Sequence, residues 1–156
     1  MDRTIRPLRT VLVAGALAGA LDIVAAFIIY GVRGVPPVRI LQSISSGLEG
    51  AAAFQGGAGS AALGLVIQFV IATGAAWVFY SASLQLPQLL QRPVASGAAY
   101  GIVVYIVMNF IVVPLSAVPK RPFDWTLAPL IVIVHIVCVG IPIALVVQRY
   151  RSPARP

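Results

Sequence analysis

Charge is scarce along this chain of 156 residues. Charged residues make up 10% of it and hydrophobic residues 60%, whereas soluble domains carry about 25% charged residues. A chain with so few charges cannot cover itself with a polar surface, so its composition excludes an ordinary soluble domain. The length is that of one domain. We therefore expect residues 1–156 to form a single membrane domain with the lipid bilayer as its main partner.

Cysteine and histidine are almost absent, each occurring once, as Cys138 and His135. A single cysteine forms no disulfide framework and no thiolate metal cluster, and a haem held between helices usually needs two axial ligands. The serines Ser43, Ser45 and Ser46 have no base near them in the sequence, so no activated nucleophile is recognisable. We therefore expect no metal, no cofactor and no enzyme activity.

Long apolar runs are what the chain does have. Four segments, at about 9–31, 58–82, 94–116 and 126–148, are each long enough to cross the hydrocarbon core as a helix. None shows the strict alternation of a barrel strand. Because the links on either side of the third segment are short, sequential helices should be antiparallel neighbours. The prediction is an all-α integral membrane four-helix bundle.

The basic residues indicate the orientation of this bundle. They outnumber the acidic residues by 11 to 4, but they lie beside apolar segments and lack the interleaved aromatics of a nucleic-acid surface, so we expect no nucleic acid partner. Lys and Arg are enriched on the cytoplasmic side of membrane proteins, which predicts that both termini are cytoplasmic. With this orientation the cytoplasmic side carries seven basic residues, Arg3, Arg6, Arg9, Arg92, Arg149, Arg151 and Arg155. The outer side carries four, Arg33, Arg39, Lys120 and Arg121.

The link between the first two spans predicts a further helix, over about 37–50. Ile40, Leu41, Ile44 and Leu48 recur at helical spacing, and polar residues occupy the other face. Two prolines precede the pattern, which suits the first turn of a helix. We expect a short amphipathic helix at the outer interface that caps the bundle; a partly ordered loop is the alternative.

Each span contains one strongly polar side chain: Asp22, Gln68, Asn109 and His135. All four lie at about the same depth, roughly 10–15 Å below the outer interface at about 1.5 Å per residue. One interpretation is an outward-facing binding site for a proton or a small polar solute, because ionisable residues inside membranes mark functional sites. The other is helix association, because such side chains also form hydrogen bonds between spans. The sequence leaves both open.

Small residues at helical spacing predict close contacts between helices. Gly15 and Gly19 share a face with Asp22, which should therefore point into the bundle. The small-residue faces exceed what one bundle needs, so a homo-oligomer or an accessory subunit of a larger membrane complex is the alternative function. The predicted packing positions are Gly15, Gly19, Gly57, Gly64, Gly97 and Gly101, with Ala61 beside them.

Several stretches together resemble a known family: AFQGG followed by LGLVIQF, then LPQLLQRPVASGAAYG, MNFIVVPLS and VGIPIAL. The chain resembles small bacterial inner-membrane proteins with four helices and no established activity, and more distantly the YagU-like proteins. The resemblance implies a bacterial inner-membrane location and a histidine at the position of Gln68, paired with one matching His135. Gln68 departs from that pattern, which puts any function of a histidine pair in doubt here.

Overall fold

The computed structural model describes residues 5–120 and 124–151, and the regular structure within these ranges is helical. Four of its helices are long and apolar enough to cross a membrane, so the chain is a multi-pass membrane protein and the predicted all-α fold is confirmed. The helix ends differ from the predicted bounds by no more than about one turn. The helices are α1 (Ile5–Gly31), α2 (Pro37–Glu49), α3 (Gly57–Gln85), α4 (Pro93–Leu115) and α5 (Ala128–Arg151).

The bundle is most tightly packed at the end where the first span begins and the last one ends. The guanidinium carbon of Arg9 lies 5.8 Å from the ring centre of Tyr150, and Arg151 donates a hydrogen bond of 2.7 Å to the hydroxyl of Ser83. We call this end the termini side, and the opposite end, which carries α2, the α2 side. The core near the termini side consists of Val11, Ala14, Ala18, Ala76, Phe79, Tyr80, Val139, Ile143, Ala144 and Val147.

Glycines hold the spans together in two close pairs. A β-carbon added at Gly15 would lie 2.6 Å from the α-carbon of Thr73, so α1 and α3 touch backbone to backbone. A β-carbon added at Gly97 would lie 2.7 Å from the carbonyl oxygen of Gly140, so α4 and α5 do the same. Such contacts are typical of small residues on membrane helices. The shared core then joins the α1–α3 pair to the α4–α5 pair.

The successive helices α3 and α4 pack less closely than the predicted bundle implies. They meet near the termini side, where the rings of Phe79 and Tyr100 are 5.1 Å apart and the Tyr100 hydroxyl donates to the carbonyl of Ala75 at 2.7 Å. Toward the α2 side a cavity separates them. The predicted contact between these sequential neighbours is therefore present mainly near the termini side. The physical reason is that the glycines of α4 pack on α5, and Gly64 of α3 packs on α2.

Both α4 and α5 contain a widened, π-helical turn, at Met108–Val112 and at His135–Gly140. Each wide turn comes just before a proline, Pro114 or Pro142. Proline has no backbone N–H and its ring clashes with the carbonyl four residues earlier, and a π-turn is one way for a membrane helix to accommodate this. The wide turn lies about one turn before each proline.

Asp124 holds the turn that leads into α5. One carboxylate oxygen accepts hydrogen bonds from the backbone N–H groups of Thr126 and Leu127, at 3.0 and 3.2 Å, and from the Thr126 hydroxyl. The other oxygen lies 3.6 Å from a guanidinium nitrogen of Arg33. The hydroxyl of Thr126 is the main cause that lowers the pKa of Asp124 below its usual value, followed by the backbone bond from Leu127.

Replacing Asp124 by Ala should therefore lower the thermal midpoint of the protein at neutral pH. A carboxylate whose pKa is lower in the folded chain stabilises that chain fully above its unfolded pKa of 3.8, and this contribution is lost as the pH falls through the folded value. We expect the midpoint difference between wild type and Asp124→Ala to shrink as the pH is lowered below 3.8. Thermal scans in one detergent across that range measure it, and a difference independent of pH would contradict the assignment.

Candidate binding site within the membrane

A cavity of about 690 Å³ lies between α3 and α4 on the α2 side of the bundle. Its volume is within the range of about 300–1,000 Å³ that is common for small-molecule sites. Most of its wall is aliphatic, with Ile67 and Ile71 on α3 facing Val104 and Val112 on α4. The polar groups in the wall are few, and three of them are predicted site residues: Asp22, Gln68 and His135.

Asp22 and Gln68 form the polar contact between α1 and α3. The amide nitrogen Nε2 of Gln68 donates a hydrogen bond of 2.8 Å to Oδ2 of Asp22. The close approach of the two helices at Gly15 and Gly19 brings the side chains within reach of each other. In the part of the chain that the structure describes, no lysine or arginine nitrogen lies within 4.0 Å of this carboxylate. Asp22 therefore has a hydrogen-bond partner there but no basic ion-pair partner.

His135 presents an acceptor nitrogen when its ring is neutral. Its Nδ1 lies 2.9 Å from the carbonyl oxygen of Ile131, and a carbonyl only accepts, so Nδ1 carries the proton. The other nitrogen, Nε2, is then the unprotonated one. The ring packs edge to face on Tyr105, with 5.6 Å between the ring centres. His135 is the first residue of the π-helical turn of α5, and it lines the cavity.

Asn109 is not among the residues that line this cavity. Its amide nitrogen donates back to the carbonyl of Tyr105 on its own helix, at 3.0 Å. It lines a neighbouring hollow of about 650 Å³, together with Lys120 and Asp124 near the α2 side. The expectation of one site with four polar residues is corrected to three, because Asn109 faces a different direction around the helix axis from the cavity.

The helix α2 forms the roof of the cavity, and it packs with a face that the sequence did not predict. Its buried side chains are Ile40, Gln42, Ser45 and Ser46, whereas Leu48 is 70% exposed. Small serines allow close approach to α3, and their hydroxyls bond to carbonyls within α2. Leu48 is one of the residues that line the cavity, together with Ile44.

Three contacts hold this roof in place. A β-carbon added at Gly64 would overlap the carbonyl oxygen of Leu41, so α2 lies directly on α3. The Gln42 amide donates to the carbonyl of Gly57 at 3.1 Å. The backbone N–H of Ala117, just after α4, donates to the carbonyl of Gly47 at 3.0 Å. The roof therefore bridges α3 and α4 on the α2 side.

Ser43 is a wall residue that the sequence reasoning did not assign to the site. It lines the central cavity and also a smaller hollow of about 370 Å³, whose wall includes Tyr30 and Arg39. Val118 is shared by the two spaces in the same way. The two spaces therefore adjoin each other on the α2 side. The amphipathic pattern of α2 places Ser43 on its polar face but does not indicate that this face meets a cavity.

The structure places the predicted packing glycines in two groups. Gly15, Gly19, Gly64, Gly97 and Gly101 each meet a neighbouring helix within the chain. Gly57 does not: a β-carbon added there meets no atom within 4 Å, and its φ of +57° shows a different role. It lies at the start of α3, where the backbone adopts a left-handed conformation that glycine accepts without strain. Gly57 is thus corrected from a packing residue to a turn residue.

Three spans, α1, α3 and α5, converge on this cavity through Asp22, Gln68 and His135, so the site belongs to the fold as a whole. The amphipathic helix α2 covers it. The resemblance to a bacterial four-helix family stays a prediction. Comparison of the chain with family models, with curated proteins and with solved structures finds no match.

Proposed function

We propose that this chain is a non-enzymatic membrane protein that binds a proton or a small polar solute in the cavity beneath α2. The observation that carries the proposal is the convergence of Asp22, Gln68 and His135 on one cavity with otherwise aliphatic walls. Ionisable side chains inside a membrane are costly and tend to mark functional sites. A carboxylate oxygen and an unprotonated imidazole nitrogen both accept hydrogen bonds, so the bound species is a proton or a hydrogen-bond donor.

Helix association alone accounts for only part of this arrangement. The Asp22–Gln68 bond does join two spans, as an association contact would. His135 instead bonds to the backbone of its own helix, as Asn109 does. Among the described residues His135 makes no hydrogen bond to another span, and it lines the same cavity as Asp22, which a binding role explains better.

The packing favours binding from one side over passage through the bundle. The core near the termini side is closed by fully buried Phe79, Ile143 and Val147, whereas hollows at Ser43 and Val118 adjoin the cavity on the α2 side. We propose that the α2 side faces outward and that the termini are in the cytoplasm of a bacterial inner membrane. Support comes from the basic residues of the termini; among those counted, Arg3, Arg121 and Arg155 lie outside the described residues, as does the side chain of Arg6.

The accessory-subunit alternative has lost its main support. It relied on small-residue faces in excess of what one bundle uses, and five of those glycines pack against helices of the same chain. No observation on the described residues favours it over the cavity. Association with copies of itself or with a larger membrane complex stays a prediction.

A thiol placed in the cavity wall tests the proposed function. Val104→Cys lines the cavity, and a Cys138→Ala background removes the native free thiol. In lipid nanodiscs we expect the neutral reagent methyl methanethiosulfonate to modify this thiol much faster than one at Ala14, which is 0% exposed in the core. Equal rates at the two positions would show that the cavity admits no solute.

The same thiol reports the charge of Asp22. The reagent 2-aminoethyl methanethiosulfonate is a cation, and a nearby carboxylate raises its local concentration. We expect Asp22→Asn, which keeps the shape of the side chain, to lower the ratio of cationic to neutral rates about tenfold. Asn109→Leu is the matched control, because it removes a polar group at the same depth but outside the cavity. An equal effect of both substitutions would contradict the role of Asp22.

A further inference from the structure

The wall of the cavity is partly exposed between α3 and α4. The cavity lies where α3 and α4 diverge, and side chains in its wall are also exposed at the bundle surface: Val66, Val70, Val112 and Val113. In a bilayer these exposed aliphatic side chains face acyl chains. A molecule dissolved in the membrane can therefore reach the cavity between α3 and α4 without crossing the roof formed by α2.

The polar groups and the walls of the cavity suit different parts of one ligand. The walls are mostly aliphatic, and the acceptors are at Asp22 and His135. Within the described residues, Asp22 has no basic side chain within ion-pair distance. A buried carboxylate is stabilised most by an opposite charge that also donates hydrogen bonds. An ammonium group meets both conditions, since it carries one charge and three donors and no acceptor.

One approach from water, past Ser43 and Arg39, is unfavourable for such a cation. The hollow that shares Ser43 with the cavity carries Arg39 in its wall. The Arg39 guanidinium is held there by the carbonyl of Phe54, at 3.0 Å, and lies 4.5 Å from the centre of the Phe54 ring. A fixed positive charge repels a soluble cation. Among the described residues that line the cavity between α3 and α4 there is no lysine or arginine.

We propose that the ligand is a membrane-dissolved amphiphilic amine, which enters between α3 and α4 and places its ammonium group on Asp22. Its apolar chain lies along the aliphatic walls and leaves the cavity past Val112. This inference rests on the proposed function, because it needs the cavity to be a binding site. It adds the chemical class of the ligand and the route by which it arrives.

Dodecylamine, a single-chain primary amine, is the probe. Its binding is read as protection of the Val104→Cys thiol, in the Cys138→Ala background, from methyl methanethiosulfonate in nanodiscs. We expect dodecylamine to slow the reaction about tenfold or more, and dodecanoate, with the same chain and the opposite charge, to leave it unchanged. Asp22→Asn should abolish the protection. Equal protection by dodecanoate, or protection that persists in Asp22→Asn, would overturn the proposed recognition of an ammonium group.

The route is tested with a pair of bulky substitutions on α4. Val112 lines the cavity and Val107 does not, yet both are 38% exposed. We expect Val112→Trp to weaken protection by dodecylamine while protection by butylamine, which has the same head and a short chain, is unaffected; Val107→Trp should change neither. An equal effect of the two substitutions would overturn the lateral route.

The outcomes separate this inference from the proposed function. A Val104→Cys thiol that reacts no faster than the core control, with no amine present, contradicts both. A thiol that reacts quickly, and whose reaction dodecylamine does not slow, leaves the solute site in place and contradicts the amphiphilic amine alone.

Discussion

Replacing Gly140 by Ala is expected to separate α4 from α5 and to cause a large loss of stability. A β-carbon at this position would overlap the carbonyl oxygen of Gly97 and lie 2.8 Å from the α-carbon of Gly101. Both obstacles are backbone atoms, which cannot rotate away as a flexible side chain can. Overpacking usually costs about 1–3 kcal/mol, and we expect this substitution to reach the upper end of that range.

Gly74→Ala is the matched control for this experiment. Gly74 is also inside a membrane-spanning helix, but a β-carbon there meets no atom within 4 Å. Because alanine is the better helix former by about 1 kcal/mol, we expect this variant to be as stable as wild type or slightly more stable. Thermal unfolding in one detergent, followed by circular dichroism, measures both. Equal midpoints for the two variants would show that α4 and α5 are not in backbone contact at Gly140.

Replacing Gly64 by Ala should have its main effect on the cavity. The new β-carbon would overlap the carbonyl oxygen of Leu41 and lie 3.3 Å from the backbone nitrogen of Ser45. To avoid this overlap α2 must move away from α3, which lifts the roof. The buried core near the termini side contains no residue of α2, so we expect the four spans to stay folded.

The reactivity of the Val104→Cys thiol measures how far the roof has moved. We expect the water-soluble reagent 2-aminoethyl methanethiosulfonate to modify it several-fold faster in a Gly64→Ala background. Gly59→Ala is the control, because it lies on the same helix and its β-carbon meets nothing within 4 Å. An unchanged rate in Gly64→Ala would mean that α2 does not limit access of the reagent to the cavity, and it would contradict the role of α2 as a roof.

The four spans could be predicted from the sequence because each depends on a property of the segment itself. A run of apolar residues long enough to cross the hydrocarbon core is readable residue by residue, and helices of that kind are present at all four places. The helix α2 was also predictable, since its prolines and its periodic pattern are local. The packed face of α2 was not, because the sequence cannot tell that Gly64 leaves room for small serines in place of leucine.

The candidate site was predicted in part. Depth in the membrane follows from counting residues along a span, and this grouped Asp22 with Gln68 and His135. Direction around the helix axis depends on which helices pack together, and this is where Asn109 separates from the others. The gap between α3 and α4 was hidden for the same reason: the short link between them predicted close neighbours, while their glycines pack on α5 and α2.

The wide turns of α4 and α5 restrict how the length of this chain can change. A wide turn holds about one residue more than an α-helical turn, and that residue rotates the rest of the helix by about 100°. The wide turn at His135–Gly140 therefore sets the direction of the side chains that follow it. Three of these, Ile143, Ala144 and Val147, are 0% exposed and face the core. Deleting one residue of the wide turn would turn all three toward lipid. An insertion or deletion inside the wide turn therefore changes the face presented by every later residue of the helix.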